Sequence, residues 1–189
     1  MGEKMRTFIA IDLEEGIKKK LFFLLHELNK VSKGIKWVKK EGMHLTLKFL
    51  GEIGKEKIPE IESILKEISE KYNPFPLRLI GTGSFPPGKK NPRVLWVGIE
   101  ETKSLKTLQA QIEEELEKIG FEKEKREFHP HLTLGRIKAH SYLGGVLSQL
   151  EKEREASFGE MLVKKITFLQ SILKPTGAEY KALSEFELK

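Results

Sequence analysis

Cysteine is absent from the 189 residues, which removes disulfides, thiolate nucleophiles and thiolate metal ligands at once. No apolar run approaches the ~20 residues that a membrane-spanning helix needs; clusters such as residues 21–25 are far shorter. Residues 1–6 lack the apolar stretch of a secretory signal, and no low-complexity tail or linker separates two independent domains. The expectation is a soluble, cytoplasmic chain forming a single domain, residues 1–189, of two lobes that share a core. Asparagine and glutamine are scarce beside abundant lysine and glutamate, a balance that fits a heat-adapted source. Acidic charge is the minority sign: the net charge of +6 favours polyanionic partners, although much of the lysine and glutamate is solvated helix surface.

What the sequence does contain is an echo of itself. Two of its five histidines open the same stretch, His44-Leu45-Thr46-Leu47 and His131-Leu132-Thr133-Leu134. At ordinary residue usage the second copy arises by chance only about a few times in a thousand. Leu-Thr-Leu alternates strand formers, so each copy predicts a half-buried β-strand. Residues i and i+2 of a strand share a face, so His44 and Thr46 point one way and Leu45 and Leu47 the other. His131 and Thr133 stand in the same relation to Leu132 and Leu134. Brought side by side, the two strands offer two imidazoles and two hydroxyls to one groove. Imidazole gives or takes a proton near neutrality. Two of them on opposite sides of a phosphorus suit in-line displacement, one accepting a proton from the attacking oxygen and one supplying the leaving oxygen. Threonine hydroxyls can donate to the non-bridging oxygens. The design requires no metal and no cofactor.

Elsewhere the periodicity predicts a strand over residues 7–12 and a helix over 14–31, with Asp12 as its cap and Ile17, Leu21, Leu24, Leu25 and Leu28 on its buried face. His26 falls in that helix and is read as a surface residue or a satisfied neighbour, not a catalytic one, and Gly34 suits its C-terminal end. A strand over residues 35–38 and a turn over 39–42 lead into the His44 strand. A second helix is predicted over 55–72, a third over 104–119 ended by Gly120, and a shorter one over 143–154. Further strands are predicted over 77–82, 94–99 and 128–136, and a closing hairpin pair over 161–173 and 180–188. His140 falls in a loop. Short connections imply antiparallel pairing in two similar α+β halves. Gly83 through Gly88-Lys89 imitates a phosphate-binding loop, but Lys90 stands where Ser or Thr is required, and Pro86 and Pro87 remove backbone donors. It reads instead as a hairpin loop whose Lys89, Lys90 and Arg93 can brush a nucleic-acid backbone.

These features resemble the 2H phosphoesterases, whose signature is a pair of H-x-T-x motifs, and in particular the RNA 2′,3′-cyclic phosphodiesterases once called 2′-5′ RNA ligases. The resemblance runs from Arg6-Thr7-Phe8-Ile9-Ala10-Ile11 through Trp37-Val38, His44 to Gly51-Glu52, Arg93-Val94-Leu95-Trp96 and Phe128 to Arg136. It ends with Ser171, Leu173, Pro175, Gly177 and Tyr180. It implies a bilobal α+β fold with two antiparallel sheets forming a V-shaped groove, helices outside, and both terminal segments in one lobe. It further implies metal-independent hydrolysis of 2′,3′-cyclic phosphate ends to 2′-phosphomonoesters. In that reading His131 is the base, His44 the acid, Thr46 and Thr133 hold the phosphate, Arg136 adds charge, and Phe49 lies beside the nucleobase. The implied substrate is RNA bearing a cyclic phosphate, tRNA halves among the candidates; nothing in the sequence marks a partner protein or an oligomer interface, and a monomer is expected.

Three readings compete with it. The same groove run backwards is a 2′-5′ RNA ligase. The same chemistry can serve small cyclic nucleotides or 2′-5′ oligonucleotides. The groove without the chemistry is an RNA-end binder.

Strand parity creates a conflict. It sets Lys48 on the face of His44 and Thr46, where it can touch phosphate or end the strand. It sends Phe49 and Arg136 towards the core, against their implied places. A β-bulge would reconcile the two; Gly135 marks a place for one, whereas nothing marks one before Phe49. An unpartnered core arginine is costly, which favours Arg136 in the groove. His129 and His131 are spaced as metal ligands, but Pro130 disrupts the pleat and no acidic partner is near, so His129 is read as a residue that orients His131 or meets substrate. Trp37 and Trp96 could stack on bases, but each sits among apolar strand residues, which favours core packing for both.

Overall fold

The computed structural model describes residues 4–88, 91–138, 141–175 and 177–189; Lys89, Lys90 and His140, singled out above, lie outside them. The described elements run β1 (Lys4–Asp12), α1 (Glu15–Lys30), β2 (Lys36–Trp37), β3 (His44–Gly54), α2 (Ile58–Ser69), β4 (Phe75–Phe85) and β5 (Val94–Ile99). They continue with α3 (Lys103–Glu117), β6 (His131–Arg136), α4 (Val146–Lys152), β7 (Ser157–Val163), β8 (Lys165–Lys174) and β9 (Gly177–Glu187). Two antiparallel sheets result, ordered β3-β1-β8-β9 and β2-β6-β5-β4-β7. Both terminal segments share the four-stranded sheet, as the resemblance implies.

Helices and sheets are exchanged between the halves. Helices α2 and α3 pack on each other and on the four-stranded sheet, against β8, β9 and β3, while α1 and α4 cover β7 and β4 of the five-stranded sheet. Helix α1 buries Ile17, Leu21, Leu25 and Leu28, the face its 3.6-residue period marks out. The buried apolar residues of both sheets form one contiguous cluster, from Ile9 and Leu45 to Leu95 and Leu134.

Several expected boundaries move for identifiable reasons. The run 161–173 is two strands, because the chain passes from one sheet to the other at Lys164. Its alternating burial up to Val163 gives way to Ile166, Thr167 and Phe168, all buried in the sheet interior. No glycine or proline marks the change. Asp12 is not the cap of α1: Glu14 accepts the first helical N–H bonds, and Asp12 pairs with Lys18 Nζ at 2.8 Å instead. Helix α2 opens with a 3₁₀ turn, Lys55–Lys57, and strand β6 begins at His131, with residues 128–130 outside the strand although Pro130 O accepts from Ile99 N–H at 3.1 Å. Gly83 lies within β4 opposite Trp96, so the described part of the imitation phosphate loop begins inside the strand that pairs with β5.

Candidate active site

Strands β3 and β6, which carry the two motif copies and belong to different sheets, approach each other with Cα atoms within 8 Å. Their pairing is the same residue for residue. In β3, His44, Leu45 and Thr46 face Asp12, Ile11 and Ala10, then Leu47 is skipped, and Lys48 and Phe49 face Ile9 and Phe8. In β6, His131, Leu132 and Thr133 face Gly98, Val97 and Trp96, then Leu134 is skipped, and Gly135 and Arg136 face Leu95 and Val94. Each copy therefore carries a β-bulge at the fourth residue. An extra residue reverses the parity beyond it, and this resolves the conflict in the sequence. Phe49 is 73% exposed and Arg136 is exposed, both returned to the side of the histidines.

The bulged carbonyls are not left unpaired. Leu134 O accepts from Val38 N–H at 2.8 Å, and Leu47 O accepts from Gln109 Nε2 at 3.4 Å. The price of the bulge in β3 is Lys48, which turns inward and is buried against Glu113; the expectation that it reaches phosphate is overturned. In β6 the same inward place is taken by Gly135, where a Cβ would sit 2.7 Å from the Trp37 ring and 3.0 Å from Ile35 Cγ2. Gly135→Ala should accordingly cost about 1–3 kcal/mol by overpacking, read as a lower denaturation midpoint; an unchanged midpoint would contradict this packing.

The two imidazoles have different surroundings. His131 Nδ1 donates to the main-chain carbonyl of His129 at 2.7 Å. A carbonyl only accepts, so Nδ1 carries the proton and Nε2 is the nitrogen open to proton exchange. Phe85 meets this ring edge-on, with centroids 5.1 Å apart. His129 thus orients His131, as one of the two sequence readings has it, but through its backbone. Its own ring is 61% exposed, about 4 Å from Glu101 and Glu127. His129→Ala should leave turnover within about twofold, since a main-chain carbonyl survives the substitution.

His44 packs against Phe8 with the rings tilted and their centroids 4.8 Å apart, and meets Tyr180 edge-to-face at 4.9 Å. Burial pushes its pKa down to about 4, opposed by the Asp12 carboxylate and assisted by Lys18. Neither Phe8, Tyr180 nor Phe85 was assigned a role from the sequence. The signal for the first was the alternation of β1, which sets Phe8, Ala10 and Asp12 on one face. Thr46 and Thr133 are half-buried beside their histidines. Trp37 donates to Asn29 Oδ1 at 2.9 Å and packs over Gly135. Trp96 is half-buried opposite Thr133 and against Phe85, on the histidine side of the sheet and not in the core expected for it. Among the described residues no group of three His, Asp or Glu side chains is placed to hold a metal, and no helix is long and apolar enough to cross a membrane.

The family described as LigT like Phosphoesterase matches the chain twice, at residues 11–96 and 97–180, one match around each histidine motif. The chain belongs to the LigT-like phosphoesterase family. Curated relatives of this LigT-like chain include proteins named RNA 2′,3′-cyclic phosphodiesterase. That of Archaeoglobus fulgidus is 42% identical, spanning 97% of this chain and all of the relative; that of Thermotoga maritima is 38% identical, over 98% of this chain and 96% of the relative. A crystal structure from Thermus thermophilus superposes with a TM-score of 0.79 at 28% identity, over 97% of this chain and 98% of the other. Escherichia coli LigT in its apo form gives 0.77 at 23% identity, over 100% and 99% of the two chains, which supports the LigT fold.

Proposed function

We propose that this LigT-like phosphoesterase opens 2′,3′-cyclic phosphate ends of RNA, leaving a 2′-phosphomonoester. The observation that carries the reading is the pair of H-x-T strands, bulged alike and in contact between the two sheets, in a chain whose relatives are named RNA 2′,3′-cyclic phosphodiesterase. His131 Nε2, its other nitrogen tied to His129 O, takes a proton from water as the water oxygen bonds to phosphorus. The bond from phosphorus to the 3′-oxygen breaks, and His44 delivers its proton to that oxygen. Thr46 and Thr133 donate to the non-bridging oxygens and Arg136 offsets their charge. Phe49 provides an exposed ring for the terminal base.

In the ligand-free protein His44 is neutral at pH 7 because its pKa is about 4. A bound phosphodiester anion favours the imidazolium, so substrate binding and loading of the acid are coupled. An oligonucleotide ending in a 2′,3′-cyclic phosphate, incubated with the protein in EDTA, should be opened to a 2′-phosphate. A cyclic end that stays closed under excess protein would leave only an RNA-end binder, and activity lost in EDTA but restored by zinc or manganese would require a metal.

A further inference from the structure

We propose that the buried Lys48–Glu113 ion pair is a cross-brace that sets the spacing of the two histidine strands, which makes both residues positioning residues; this rests on the two-histidine reading above. Lys48 lies four residues beyond His44, and its side chain is 3% exposed. Its Nζ meets Glu113 Oε2 and also donates to Glu122 O at 2.9 Å. Glu113, on α3 and 10% exposed, accepts from Glu124 N–H at 3.3 Å and from Gln109 Nε2 at 3.3 Å. That same Gln109 donates to Leu47 O, the bulged carbonyl of β3.

Residues 122–124 belong to the loop that leaves α3 and enters β6 at His131. One buried charge pair therefore grips both the strand of His44 and the approach to His131. The bulge alone does not need it, because the other copy makes the same bulge with Gly135. Burying two charges is also costly compared with an apolar pair. What the ions add is directional bonding between the two strands' supports, and a reacting group displaced by 1 Å can lose about 10²-fold in rate.

The test is Lys48→Met/Glu113→Leu, compared with wild type in thermal unfolding and in steady-state hydrolysis of a cyclic-phosphate oligonucleotide. The apolar pair should match or raise the melting temperature while kcat falls about 10–100-fold and KM stays within about threefold. Wild-type melting together with wild-type kcat would reduce the pair to packing and overturn the proposal. If that variant does not fold, Glu113→Gln is the second arm: lowered kcat at unchanged KM supports the brace, and full kcat overturns it. Imidazole NMR resonances of His44 and His131 give a readout that does not depend on turnover. Displacement of both rings' signals in the double variant supports the brace and unchanged signals refute it, even if the phosphodiesterase reading itself were to fail.

Discussion

Alanine in place of His44 or of His131 should each lower hydrolysis of a 2′,3′-cyclic phosphate by about 10²–10⁴-fold, the contribution of one positioned acid or base. On the proposed mechanism the double variant should lose little beyond the worse single one, because losses of groups that act on one displacement do not add. The structural costs differ. His131 gives up one bond to His129 O and an edge contact with Phe85. His44 leaves a gap between Phe8 and Tyr180, so its replacement should destabilise the fold more. Single-turnover rates at saturating protein separate these effects from weakened binding. Near-wild-type rates in either single variant would remove that histidine from the chemistry.

The second large effect is on stability. His44 has a pKa of about 4 in the folded protein against an ordinary value of 6.5. Above pH 6.5 it is neutral in both states and adds no pH dependence. As pH falls from 6.5 towards 4, the unfolded chain binds a proton that the folded chain refuses, so unfolding becomes easier. The accumulated loss approaches about 3 kcal/mol, complete only below pH 4. Urea unfolding at pH 7 and at pH 4.5 checks this: wild type should lose more stability between the two than His44→Gln, in which the carboxylates titrate alike but the imidazole is gone. Parallel losses would contradict the burial of His44. His44 acts as the acid in its protonated form, so the bound anion, which favours the imidazolium, should carry the kcat profile to higher pH than that of kcat/KM, which reports the free enzyme.

Much of this was legible in the sequence because repetition and alternation are properties of the chain alone. His44, Thr46, His131 and Thr133 were located by an echo, and the buried stripe of α1 by its period. The places of Phe49 and Lys48 were not legible, because they depend on a bulge with no marker before it. At the β3 bulge Leu47 O accepts from Gln109 Nε2 and Lys48 meets Glu113, both partners on α3, and such long-range partners leave no local pattern. Gly135 could be read because its bulge needs a residue without a side chain under Trp37. The switch between sheets at Lys164 was hidden for the converse reason: both strands are apolar, and nothing in the composition changes where one sheet ends. The aromatic contacts of His44 come from β1 and β9, strands that only the assembled sheet brings to β3.

The central claim is that two imidazoles address a single phosphorus from opposite sides. A crystal structure with a nucleoside 2′,3′-cyclic vanadate bound measures this directly. Nε2 of His131 and a ring nitrogen of His44 should each lie about 3 Å from a different apical oxygen, with the threonine hydroxyls on the equatorial ones. Vanadate held by one histidine alone, or lodged away from both strands, would contradict the account.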